Sequence, residues 1–184
     1  VASICDRAFY GCSKLVSIAI SDSVTSIGDE AFSHCQRLES ITIPDSVIFI
    51  GNGPFAECCF SSIKIPSSVV SLGWNPFFEC KKLKTIDVSE NPNFVFDDGV
   101  LMNKEMTQII LCVPSKSGDY AIPSTVTTIC AGAFHRCDKL TTISIPDSVT
   151  SIGDKAFVGC NHLWSITISN SVVSIGSRAF RYCK

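Results

Sequence analysis

Residues 140–160 read LTTISIPDSVTSIGDKAFVGC. Nearly the same words stand at 15–35, LVSIAISDSVTSIGDEAFSHC, and at 38–58, LESITIPDSVIFIGNGPFAEC. Self-similarity at a fixed period of this size marks a stacked array, in which each repeat is one unit that cannot bury its apolar side alone. The isoleucine before glycine sets the register. Ile4, Ile27 and Ile50 are 23 residues apart, Leu72 follows after 22, and Ile129, Ile152 and Ile175 resume the spacing of 23. Five residues after each marker stands Phe9, Phe32, Phe55, Phe77, Phe134, Phe157 or Phe180. Eight after it stands Cys12, Cys35, Cys58, Cys80, Cys137, Cys160 or Cys183.

Within a repeat, L-x-x-I-x-I has the alternation of a short strand. Proline ends it at Pro44, Pro66, Pro123 and Pro146, where a missing N–H would break a ladder bond. The next piece, S-V-T-S-I-G, turns the chain. In A-F-x-x-C the Ala, Phe and Cys fall at i, i+1 and i+4, near one face of a helical turn. The expected fold is therefore α/β: about eight coils with one parallel sheet and a column of short helices. Strands stack about 4.8 Å apart and helices need about 10 Å, which makes the sheet side concave and the helix side convex.

The pattern breaks between Val88 and Ile122, a span 11 residues longer than a repeat. Asn91-Pro92 and Asp98-Gly99 are turn signals. Two apolar runs, Val100-Leu101-Met102 and Ile109-Ile110-Leu111, flank the polar Asn103-Lys104-Glu105 and read as a β-hairpin. Leu111-Cys112-Val113-Pro114 reads as the imitation of a ladder-strand end. The insertion at 89–121 makes either one bulged coil or a full coil plus a short one, within a single domain spanning 1–184.

Hydrophobic residues are 46% of the 184 and charged residues 17%, which excludes disorder and collagen-like structure. A net charge of −2 without a basic run argues against nucleic acid, whose affinity comes from phosphate neutralisation. No apolar run approaches the ~20 residues that span a bilayer, so no membrane insertion is expected. Val1 starts in mid-repeat and Lys184 follows directly on a repeat's cysteine, as in a piece of a longer array.

These residues resemble the BspA-like, Treponema-type class of leucine-rich repeats. The resemblance rests on L-x-x-I-x-I-P-x-S-V-x-x-I-G-x-x-A-F-x-x-C at 140–160, on N-P-N-F-x-x-x-D-G-V-L at 91–101 and on D-Y-x-I-P at 119–123. It covers essentially the whole chain. It implies a right-handed curved solenoid, secreted or anchored at the cell surface and implicated in adhesion to host proteins or other cells. It carries over no catalytic residue and no cofactor. Ser21, Ser89 and Ser169 replace the proline, Cys5 and Cys130 replace the glycine, and Pro54 and Pro76 replace the alanine before phenylalanine.

Seven of the 11 cysteines share the column after phenylalanine and are expected to point into the core as buried thiols. Side chains stacked in one column project in parallel and do not face each other as a disulfide requires. Cys112 alternates with Leu111 and Val113 and is expected to face outward. His135-x-Cys137 and Cys160-x-His162 sit on adjacent coils, but zinc needs four convergent ligands, and exposed convex-side histidines are the simpler expectation. No nucleophile, base and orienting group recur together, so no enzyme is expected. Ser23, Ser46, Ser68, Ser148 and Ser171 form a column suited to hydrogen bonding turn backbone.

The outward strand positions carry the functional expectation. Alternation places Ser17, Ala19, Ser40, Thr42, Ser62, Lys64, Thr85, Asp87, Thr142, Ser144, Ser165 and Thr167 on the concave face, with Glu39 and Trp164 at its margin. This face is either a solvated sheet of β-tolerant residues or a binding surface of the kind repeat proteins use. Phe94, Phe96, Leu101 and Met102 of the hairpin either project as contacts or cover the core where the regular coil is missing. The expected function is a non-enzymatic adhesion or protein-binding module, its partner host extracellular matrix or another cell surface. The alternative is a structural spacer or a self-assembling repeat segment with no specific ligand, its self-association running through exposed solenoid ends.

Overall fold

Each marker residue and the one before it form a two-residue strand, and each regular L-x-x-I-x-I segment contributes a second, longer strand. A computed structural model describes residues 2–183; Val1 and Lys184, on which the expected mid-repeat start and stop rest, lie outside the described residues. The chain divides into two compact units, Val1–Phe94 and Val95–Lys184.

In the first unit the strands are β1 (Ser3–Ile4), β2 (Ser17–Ala19), β3 (Ser26–Ile27), β4 (Ser40–Thr42), β5 (Phe49–Ile50), β6 (Ser62–Lys64), β7 (Ser71–Leu72) and β8 (Thr85–Asp87). The marker strands form one parallel sheet, β1-β3-β5-β7, and the others form two parallel pairs, β2-β4 and β6-β8. Pairing shifts by one whole repeat: Ile4 lies opposite Ile27, and Ile50 opposite both Ile27 and Leu72. Ladder pairing lapses between β4 and β6, where the repeat is one residue short. Asn91 closes the unit's last turn from inside. Its buried Nδ2 donates to the carbonyls of Pro66 at 2.6 Å and Val69 at 3.0 Å.

The helices expected on the convex side do not exist: among the described residues there is no helix, and the α/β assignment gives way to a β-solenoid. The A-F-x-x-C segments are turns. The reason lies in the backbone three and seven residues after each marker, which has positive φ: 57° at Arg7 and 72° at Gly11, 54° at Glu30 and 62° at His34, 54° at Lys155 and 75° at Gly159. A helix needs φ near −63°, so two left-handed residues per turn segment forbid it. Each non-glycine residue held this way costs about 1 kcal/mol.

The offsetting gain is a third hydrogen-bonded column. Arg7, Phe9 and Gly11 donate their N–H groups to the carbonyls of Asp29, Ala31 and Ser33 at 2.9, 2.7 and 2.8 Å. In the second unit Gly132, Phe134 and Arg136 do the same to Asp154, Ala156 and Val158. The turn side therefore repeats at hydrogen-bond distance, like the strands, and the helix width invoked for a convex side is absent. The alanine N–H is not part of this column. It makes only a local bond, 3.2 Å from Ala8 to Cys5 and 3.4 Å from Ala31 to Gly28, so Pro54 and Pro76 replace alanine without loss to the column.

The core consists of vertical stacks. Phe9, Phe32, Phe55 and Phe77 lie nearly parallel with centroids 5.0, 5.8 and 5.7 Å apart. Phe134, Phe157 and Phe180 repeat this at 5.0 and 5.1 Å. The cysteine column adds a polar ladder that the sequence did not announce. Cys35, Cys58, Cys80, Cys160 and Cys183 each donate Sγ–H to the phenylalanine carbonyl of the preceding coil, at 3.0 to 3.3 Å. Cys35, Cys58, Cys80, Cys137 and Cys160 are buried, whereas Cys12 is exposed and Cys183 half-buried. Burial pushes the Cys80 and Cys160 thiols up to about 12.

The marker glycines are fixed by close approach of the coil beneath. A Cβ on Gly28 would lie 2.7 Å from the Asp6 nitrogen, and one on Gly153 would lie 2.5 Å from the Ala131 nitrogen.

β9 (Phe94–Asp97) starts on the last residue of the first unit, and the second unit continues with β10 (Val100–Asn103), β11 (Gln108–Cys112), β12 (Ser117–Ala121), β13 (Thr128–Ile129), β14 (Lys139–Ser144), β15 (Ser151–Ile152), β16 (Ser165–Thr167) and β17 (Ser174–Ile175). Its sheets run β17-β15-β13-β11-β10-β9 and β12-β14-β16. The pairs β11-β13, β12-β14, β13-β15, β14-β16 and β15-β17 are parallel, and β10 runs antiparallel to β11. Asp98 and Gly99, with φ of 46° and 81°, make the positive-φ turn that Asp-Gly favours.

Two expectations fail here. β11 stands in the marker column, with Ile109 opposite Ile129, so Leu111-Cys112-Val113-Pro114 does not end a ladder strand; that place belongs to β12, with Tyr120 opposite Ile143. Cys112 faces inward at 1% exposure. Leu101 pairs with Leu111 and Met102 with Ile109, a bulge that skips Ile110 and breaks the alternation from which an outward Cys112 followed.

Candidate functional site

In the first unit, Ser17 lies opposite Ser40, Ala19 opposite Thr42, Ser62 opposite Thr85 and Lys64 opposite Asp87, and all eight side chains are exposed. Between them the isoleucines turn inward, which leaves each strand a small two-row platform. Lys64 does not pair with Asp87. Its Nζ lies 2.6 Å from Glu90 Oε2, which raises its pKa by hydrogen bond and charge. Asp87 instead accepts from the Ser89 N–H at 3.0 Å and the Ser89 hydroxyl at 2.7 Å, which lowers its pKa.

In the second unit, Thr142 lies opposite Ser165 and Ser144 opposite Thr167; Thr142 is half-buried and the other three are exposed. This platform gains a carboxylate that sequence reasoning missed. Asp119 pairs in register with Thr142, and its Oδ1 accepts from the hydroxyls of Thr142 at 2.6 Å and Thr141 at 2.9 Å. Those two bonds hold its pKa below the ordinary carboxylate range. The signal was present in D-Y-x-I-P: aligning Tyr120 with Ile143 places Asp119 on the outer face. Beside the rows stands Trp164, 75% exposed, its backbone N–H donating to the Thr141 carbonyl.

The hairpin residues fall elsewhere. Phe94, Leu101 and Met102 are buried and Phe96 is half-buried. Of the histidines, His135 is half-buried rather than exposed, and burial together with Arg136 and Lys155 lowers its pKa to about 4. His162 Nδ1 lies 2.6 Å from the Asp138 carbonyl oxygen. Among the described residues no three His, Cys, Asp or Glu side chains converge on a point that could hold a metal. The serine column partly bonds across coils: Ser46 and Ser68 donate to the Val24 and Val47 carbonyls at 2.6 and 2.7 Å.

Comparison with known proteins fits this construction. The family described as BspA type leucine rich repeat region matches residues 2–119 and 114–184, in six copies. No curated protein matches the chain. A leucine rich cell surface protein from Faecalibacterium prausnitzii superimposes with a TM-score of 0.91 at 34% identity, over 100% of this chain and 49% of its own. A leucine-rich repeat protein from Eubacterium ventriosum gives 0.85 at 30% identity, over 99% and 55%. The pneumococcal vaccine antigen PcpA gives 0.86 at 30% identity, over 94% and 44%. The chain thus spans about half the length of these solved relatives. The repeat, its stacked phenylalanines and cysteines and these matches together make the chain a member of the BspA-type leucine-rich-repeat family.

Proposed function

We propose that the chain is a protein-binding module of a cell-surface or secreted protein, and that it engages its partner through the outer rows of its longer strands. The observation that carries this reading is Trp164, three-quarters exposed beside the hydroxyl rows of Thr142, Ser144, Ser165 and Thr167. Exposed tryptophan is the side chain most often found as an interface anchor, and a rim of small hydroxyls supplies adaptable hydrogen bonds around it. Asp119 gives this surface a fixed negative point. The platform of Ser40, Thr42, Ser62, Lys64, Thr85 and Asp87 offers a second polar surface, with a cation and an anion side by side. We assign Phe94, Leu101 and Met102 of the hairpin to core cover, with Phe96 as its one partly accessible aromatic.

The test is retention of immobilised host extracellular-matrix proteins by the chain and its variants. Trp164→Ala is expected to weaken binding by about tenfold or more. A paired Lys64→Ala and Asp87→Ala change reads the other platform independently. Binding that is absent, or unchanged by every one of these substitutions, overturns the strand-face reading and leaves the spacer reading, which size-exclusion behaviour across concentrations then tests.

A further inference from the structure

The cysteine ladder has one irregular member. Every other buried thiol of the column donates to a phenylalanine carbonyl one coil back. The coil beneath Cys137 is the hairpin coil, which has no A-F-x-x-C turn and so offers no phenylalanine carbonyl. The Cys137 sulfur instead lies 3.6 Å from the Cys112 carbonyl oxygen and 4.0 Å from that of Val113, longer than any other contact in the ladder. Cys112 Sγ lies 3.6 Å from the same Val113 oxygen. Two thiols thus converge on one weak acceptor, in a site where Cys112 and Cys137 are 1% and 0% exposed. The Cys112 N–H donates to the Ala133 carbonyl at 2.6 Å, which ties the hairpin coil to the coil that carries Cys137.

We propose that Cys112 and Cys137 are a disulfide site, which fastens the hairpin coil to the first regular coil of the second unit. The objection that stacked column cysteines project in parallel does not reach this pair, because the bulge at Ile110 turns Cys112 inward from a different part of its coil. The Cys112 side chain is also the foremost influence that raises the Cys137 thiol above its ordinary range, ahead of burial. One solved relative is a cell-surface protein, and disulfides persist outside the cell, so the proposal rests on the cell-surface or secreted reading above. The oxidant is a low-molecular-weight disulfide. One cysteine thiolate attacks it and releases one thiol; the second cysteine then attacks the resulting mixed disulfide and releases the other. One S–S bond is broken and one formed, and both cysteine protons leave on the two released thiols. The exchange runs before the coil closes over the pair.

The test is to refold the full chain from reduced, denatured protein in a glutathione redox buffer, block free thiols, and map tryptic peptides without reduction. Residues 105–116 are expected to be joined to 137–139 with loss of two hydrogen atoms. The cross-link spans 25 positions and should raise Tm by roughly 5–10 °C over the fully reduced protein. Cys112→Ala should lose both the joined peptide and the Tm rise. The same mapping is decisive without the variant: recovery of both thiols free, or of Cys137 joined to any other cysteine, overturns the proposal.

Discussion

Phe32 and Phe134 hold the same place in the repeat, yet what lies under them differs. Phe32 is stacked on both sides, by Phe9 and Phe55 at interplanar angles of 5° and 8°. Phe134 stacks on Phe157 at 6°, but its other neighbour is Tyr120, tilted by 51° at 6.0 Å. The same contrast runs through two more columns. Cys35 donates to a phenylalanine carbonyl and Cys137 does not. Gly28 is pressed against the backbone of the coil below, whereas the matching residue above the hairpin coil is Cys130, which carries a Cβ. Each of these columns is satisfied by the next copy of itself, so one irregular coil relaxes all three at once.

Four substitutions, in two pairs, probe that contrast, beginning with the largest effect. Phe32→Ala should cost about 4 kcal/mol in urea unfolding and Phe134→Ala about 1 kcal/mol less, because one of its two ring contacts is tilted. Equal losses would remove the contrast. Gly153→Ala should cost about 2–3 kcal/mol by forcing a methyl group against the backbone of Ala131, while Cys130→Ala should cost about 1 kcal/mol or less. A harmless Gly153→Ala would show that the close approach is slack.

A further effect is set by pH. His135 is pushed down to about 4 by burial and by Arg136 and Lys155, against an opposing pull from Asp138. Its folded pKa lies below the unfolded value of about 6.5. The unfolded chain therefore takes up a proton first as pH falls. The stabilisation is complete above about 6.5 and is lost as pH falls toward 4. Discounted for its partial exposure, that loss is about 1–2 kcal/mol. His135→Gln should remove it from the acid limb of a stability–pH curve, and an unchanged limb would place the titration elsewhere.

The marker isoleucines, the phenylalanine column and the inner strand residues were legible because each stands at a fixed distance from the next copy of itself. The hairpin was legible because its two apolar runs flank a polar turn. The outer rows followed from alternation alone, as far as Thr142 and Ser165. Asp119 did not, because the coil that carries it has a different length and its strand had to be aligned through Tyr120.

The sequence by itself determined the period, the family and which columns form the core. Tertiary structure decided the form of A-F-x-x-C and the direction of Cys112. A pattern of i, i+1 and i+4 shows which side chains share a face, but not where the backbone donors go. Here the N–H groups of Arg7, Phe9 and Gly11 bond to a coil more than 20 residues away, and those non-local bonds hold φ positive at Arg7 and Gly11 where a helix would need it negative. Cys112 turned inward for a similar reason: a bulge set by its pairing with β10, rather than by its own neighbours in sequence, decides which way it faces.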